Sequence, residues 1–98
     1  IDLTAMSKML YESMGEEGSW VLFKHNPDGS ARAAHNHSNY GAYQIARLVA
    51  QGMRDAKLTI AKELRQDLPK VDPAKPTPLA TFGVPASATY TDQRPLGD

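Results

Sequence analysis

Apolar residues recur at three- and four-residue steps along the first stretch of the chain, at Leu3, Met6, Leu10 and Met14. That spacing predicts an amphipathic helix over "DLTAMSKMLYESMG", with the four side chains on one face. Asp2 is placed to cap its first turn, Thr4 being a weaker alternative, and Gly15 suits a left-handed C-terminal cap. Gly18-Ser19 signals a turn, and Trp20 to Phe23 then form a short apolar run that suits a buried strand or an apolar loop. Residues 25–36 read as a loop, because Asn26-Pro27-Asp28-Gly29 combines a preset φ with a residue that tolerates positive φ. A second helix is expected from Ser38 or Asn39, with Ala42, Ile45, Ala46, Val49 and Met53 as its buried face. Gly41 and Ala42 would let it approach a neighbouring backbone closely. Gly52 costs about 1 kcal/mol against Ala and marks a break or a weak point. The pattern resumes at Leu58, Ala61, Leu64 and Leu68 until Pro69 ends it, which predicts one long helix or two abutting ones.

The character changes after Leu68, since six of the seven prolines lie from Pro69 onward. "PKVDPAKPTP" must be extended, each proline fixing its own φ and disfavouring helix in the residue before it. Val71, Leu79, Phe82, Val84 and Tyr90 need something to pack on, so the segment reads as a strap over a folded body rather than a free linker. The expected organisation is a helical part, 1–68, and an extended strap, 69–98, on the same domain. Helices and strap together present more one-sided apolar surface than they can bury among themselves. That points to a partner, another part of the same polypeptide or another subunit. The opening "IDLTAMSKM" reads like the interior of a longer chain.

Composition narrows the chemistry. The 98 residues suffice for one small domain, and 11 Lys plus Arg balance 11 Asp plus Glu. No basic run with interleaved aromatics is present, which argues against nucleic acid and against an anionic membrane surface as partners. With no cysteine, disulfides, thiolate-bound zinc and thiol catalysis are out. No segment is long and apolar enough to span a bilayer, and the start lacks the basic-then-apolar pattern of a signal peptide.

The chemistry candidates sit in "AAHNHSNYGAY", just before the second helix, where His35 and His37 flank Asn36. A loop histidine here can simply cap the helix or pack on Tyr40 or Tyr43. A His-x-His pair in extended backbone can instead place two imidazoles on one zinc ion, with Glu16, Glu17, Asp28 or His25 as further ligands. Or one histidine serves as the base of a serine hydrolase, taking the serine proton while a carboxylate orients the ring. The aromatics Trp20, Tyr11, Tyr40, Tyr43 and Tyr90 also allow a non-catalytic carbohydrate-binding or interaction segment.

The stretch "HSNYGAYQIARLVAQGMRDAKLTIAKEL", followed by "DLPKVDPAKPTP" and "VPAS", resembles the C-terminal part of SGNH/GDSL-type esterases, nearest the rhamnogalacturonan acetylesterase-like carbohydrate esterases. The resemblance runs from "LYESMG" to "RPLGD", and its most specific features are the "YGAY" helix start and the Asp-Leu-Pro to Asp-Pro-x-x-Pro strap. It implies an α/β fold, a flavodoxin-like three-layer sandwich of which this chain is the C-terminal part. It implies removal of acetyl groups from plant cell-wall polysaccharide, secreted or periplasmic location, and no metal or organic cofactor. The partners it implies are an acetylated polysaccharide or oligosaccharide and the N-terminal part of the same fold. The family's nucleophile lies in a Gly-Asp-Ser motif, absent from these residues and so expected upstream of Ile1. Its Asp-x-x-His motif is also absent. Aligned on Tyr40-Gly41-Ala42-Tyr43 without a gap, the acid falls on Ala33 and the histidine on Asn36; with a one-residue deletion they fall on Ala34 and His37. His37 is therefore the expected catalytic base, with His35 and Asn36 the competing positions. Its carboxylate is either missing or supplied from elsewhere, such as Asp28, and an esterase inactivated at this site is the alternative.

Overall fold

The computed structural model describes residues 1–26, 28–30 and 36–85. Helix α1 spans Leu3–Ser19, and Asp2 caps it as the sequence predicts, its Oδ1 accepting from the Ala5 N–H at 2.9 Å. The backbone leaves helical geometry at Gly15, where φ is 74°, and one further turn carries the chain to Ser19. The expected stripe is the packed one. Leu10 is fully buried with Leu22, Tyr40 and Leu48, and Leu3, Met6 and Met14 pack around them. Burying a leucine side chain is worth about 1.5–3 kcal/mol, so these four residues and their neighbours are the centre of the fold.

Trp20–Leu22 form a single 3-10 turn, neither strand nor open loop. Phe23 then pairs antiparallel with His37. Lys24 N–H donates to Asn36 O at 2.7 Å, and Ser38 N–H to Leu22 O at 2.9 Å. The turn expected at Asn26–Gly29 closes through Gly29 N–H to Asn26 O at 2.9 Å, with Gly29 at φ 84°.

Helix α2, Asn39–Asp55, starts at Ser38, whose Oγ accepts from Gly41 N–H at 3.1 Å and donates to Val21 O at 2.7 Å. Its end and its facing both differ from the expected ones. Gly52 neither breaks nor ends it; the residue is buried beneath the Ile1 side chain. The helix stops three residues later in a Schellman motif, with Lys57 at φ 53°, Lys57 N–H bonded to Arg54 O and Leu58 N–H to Met53 O. Thr59–Glu63 then form a 3-10 turn, so Leu58, Ala61, Leu64 and Leu68 do not share a helical face. On α2 itself, Ile45 packs on the core, but Ala42 and Ala46 are exposed and Val49 and Met53 only half-buried. The buried positions include Tyr40, Gly41, Gln44 and Leu48.

The reason is the strap. Residues 69–85 run along α2, and side chains at its 40, 44, 47, 51 and 54 positions bond the strap or Leu68 just before it. Thr77 O accepts from Tyr40 Oη at 2.6 Å and from Gln44 Nε2 at 2.9 Å, while Arg47 bonds the Thr77 hydroxyl. Gln51 Oε1 accepts from Val71 N–H at 3.0 Å, and Arg54 donates to Leu68 O at 2.8 Å. An extended proline-rich segment has no ladder partner, and buried carbonyls need donors, so polar residues take the side of α2 that periodicity assigns to solvent. Phe82 packs edge-on to Tyr40 and tilted to Tyr43, both at 5.4 Å. Val71 and Phe82 join the core as expected of a strap, whereas Leu79 and Val84 stay exposed and Tyr90 lies outside the described residues. Replacing Gln44 by Leu keeps the packing and removes one donor, at a cost of about 1 kcal/mol. Chymotryptic cleavage after Phe82 should then speed up by roughly fivefold; unchanged cleavage would place the strap's anchorage elsewhere.

Among the described residues no helix is long and apolar enough to cross a membrane.

Candidate functional site

His37 is positioned from three sides. Its backbone is held by the pairing with Phe23, and its successor Ser38 caps α2. Its ring stacks on Phe23 at 5.4 Å and 22°. From α1, Tyr11 brings its hydroxyl to 3.4 Å from His37 Nε2, and Tyr11 in turn lies tilted on Phe23 at 5.7 Å. At 3.4 Å the hydrogen bond is at its long limit, so aromatic packing does more than this bond to fix the imidazole. Burial pushes the Tyr11 hydroxyl above the ordinary tyrosine range, so it stays protonated through neutral pH, and it donates to or accepts from Nε2 according to the tautomer of the imidazole. Sequence reading names His37 and counts Tyr11 only among the aromatics of a binding segment, because the pair is 26 residues apart and no local pattern links them.

The rival positions are placed differently. Asn36 is exposed, and its backbone carbonyl is used in the pairing with Lys24. His35, Ala33 and Ala34 lie outside the described residues. His25 stacks on a different ring, that of Trp20, at 5.4 Å. Asp28 does not serve His37. Its Oδ1 accepts from Ser30 Oγ at 2.6 Å and from Ser30 N–H at 2.9 Å. Those bonds, the side-chain one foremost, hold its carboxyl below the usual range. Among the described residues no carboxylate is hydrogen-bonded to His37, and no three His, Asp or Glu side chains gather to hold a metal ion.

This geometry can do one thing chemically: present a positioned, half-buried imidazole at the entrance to α2. Among the described residues no serine or threonine hydroxyl is hydrogen-bonded to that ring.

Comparison with known proteins relates the chain to an esterase, over part of its length. One relative is the rhamnogalacturonan acetylesterase RhgT of Bacillus subtilis (strain 168), 39% identical over an alignment of 72 residues that covers 65% of this chain and 31% of that protein. The chain thus spans under a third of the length of the curated relative it matches. No family model matches the chain. No solved structure matches it either.

Proposed function

We propose that this chain is the histidine-bearing C-terminal part of a serine carbohydrate esterase that removes acetyl groups from plant cell-wall polysaccharide of the rhamnogalacturonan kind. The observation that carries the reading is the position of His37, packed between Tyr11 and Phe23 at the start of a helix whose sequence is related to an esterase. In this reading α1, α2 and the strap belong to a flavodoxin-like three-layer sandwich. The exposed apolar arc of α2, with Ala42 and Ala46 at its centre and Val49 and Met53 beside them, faces the rest of that fold. Such a stripe is what a helix uses to cover a neighbouring layer.

The reaction is acyl transfer. A serine upstream of Ile1 attacks the acetyl carbonyl while His37 takes the hydroxyl proton. His37 then returns that proton to the departing sugar oxygen. Water, activated by the same imidazole, attacks the acetyl-serine and releases acetate. Tyr11 positions the imidazole. The substrate implies a secreted or periplasmic enzyme, and the mechanism calls for no metal or organic cofactor.

One observation favours a second reading, an esterase fold without turnover: no described carboxylate orients His37. Acetate release from acetylated pectic polymer by the complete polypeptide, together with labelling by a fluorophosphonate serine probe, tests both. Labelling with acetate release is the expected result. Labelling without acetate release supports the second reading, and a polypeptide that neither labels nor hydrolyses defeats the first.

A further inference from the structure

Beyond α2 the chain forms an open cleft of about 430 Å³ that the esterase reading leaves unused. Four cationic side chains line it, Arg54, Lys62, Arg65 and Lys70, with Gln66 and Leu64 between them, and no acidic residue shares the lining. In sequence these cations are spread over 17 positions among Glu63 and Asp67, so no basic run is visible. The fold gathers them. Arg54 reaches across to accepting carbonyls of Leu68 at 2.8 Å, Pro69 at 3.4 Å and Arg65 at 3.5 Å, drawing the end of α2 to the start of the strap. Those partners are neutral, so the charge of Arg54 is not cancelled. Arg65 is offset by Asp67 at 2.6 Å, while Lys62 and Lys70 have no ion-pair partner among the described residues. A chain of zero net charge therefore carries a concave surface with a local excess of positive charge.

We propose that this cleft binds the carboxylates of an acidic polysaccharide, a uronic-acid polymer, as a subsite remote from His37. Lys62, Lys70 and the outer edge of Arg65 supply the charge, and Gln66 donates to sugar hydroxyls. The α2 helix of 17 residues separates the cleft from the His37 end by about 25 Å, so only a polymer reaches both, and a small ester does not. No aromatic ring lines the cleft, which denies a nucleic-acid base its stacking surface and favours the polysaccharide. The choice of polymer rests on the esterase reading; the charge of the ligand does not.

The test is binding of the complete chain to polygalacturonate at low ionic strength, by calorimetry or affinity electrophoresis. The same measurement is made with the fully methyl-esterified polymer and with an oligodeoxynucleotide of matched charge. Binding to the free-acid polymer, lost on esterification and weakened by added salt, is the expected result. Lys62→Gln with Lys70→Gln, both exposed positions, should weaken it by roughly tenfold, since each removes one solvent-screened ion pair with the polymer. The same loss of charge at Lys8 and Lys75 should leave it unchanged. Absence of binding, equal binding after esterification, equal weakening by the two double substitutions, or tighter binding of the oligonucleotide each overturns the proposal. Because the binding is read without hydrolysis, an inactive polypeptide that still binds polygalacturonate counts against the esterase reading alone.

Discussion

Gly41→Ala should destabilise the chain by about 3 kcal/mol or more, a large share of what a domain this small commands. A Cβ at this position would stand 1.9 Å from Leu22 O and 2.8 Å from Leu22 C. Both atoms are backbone, so no rotamer change relieves the clash. The same few residues also carry the bonds Ser38 N–H to Leu22 O, Ser38 Oγ to Val21 O and Gly41 N–H to Ser38 Oγ. Moving α2 away to admit the methyl group breaks these together and pulls Leu22 out of the core. The gain in helix propensity, about 1 kcal/mol for Gly to Ala, is too small to offset that. Gly52→Ala is the control. Its Cβ would meet Ile1 Cγ2 at 2.5 Å, but that atom belongs to a side chain that is 55% exposed, which a change of rotamer turns aside. Its effect should lie within about 1 kcal/mol of zero. Urea midpoints followed by far-UV circular dichroism compare the two. A Gly41→Ala midpoint level with that of Gly52→Ala would show that α2 does not sit against Leu22 as described.

Gly41 also shows what kind of information the sequence carries. A small residue in the first turn of a helix predicts close approach, and it is Leu22 O that approaches. The α1 stripe, the Asp2 and Ser38 caps and the strap are readable for the same reason: each is a local pattern with one physical cause. The end of α2 is not, because Lys57 occupies the left-handed position that glycine usually marks, and the apolar spacing runs on past it. Nor is the helix's facing, since Gln44, Arg47, Gln51 and Arg54 turn inward to bond a strap up to 33 residues further along the chain. Periodicity assumes that polar side chains seek water, and here backbone carbonyls compete for them. The site divides in the same way. A histidine before a helix stands out in the sequence, whereas its neighbour Tyr11 and the cations of the distal cleft are brought in by folding.

His37→Gln, in the complete esterase of which we propose this chain is part, should lower acetate release by roughly 10²- to 10⁴-fold, the usual worth of general acid–base catalysis. Glutamine keeps a polar side chain beside Tyr11 but has no group that titrates near neutrality. The loss should fall on kcat, because the imidazole acts on protons in flight and not on sugar binding. Stability should change little by comparison, since the ring is half-buried and its bond to Tyr11 is long. Two comparisons make the outcome decisive. His25→Gln removes an imidazole that stacks on Trp20 and not on Phe23, and its activity should stay within a few-fold of the parent. Asn36→His tests the other alignment: if the base position is Asn36 and the site has lost its histidine, this change raises acetate release while His37→Gln leaves the low parent rate unaltered. A fall with His37→Gln and no gain with Asn36→His assigns the base to His37. The opposite pattern moves it by one residue, and with it the explanation for why none of the described carboxylates bonds the His37 ring.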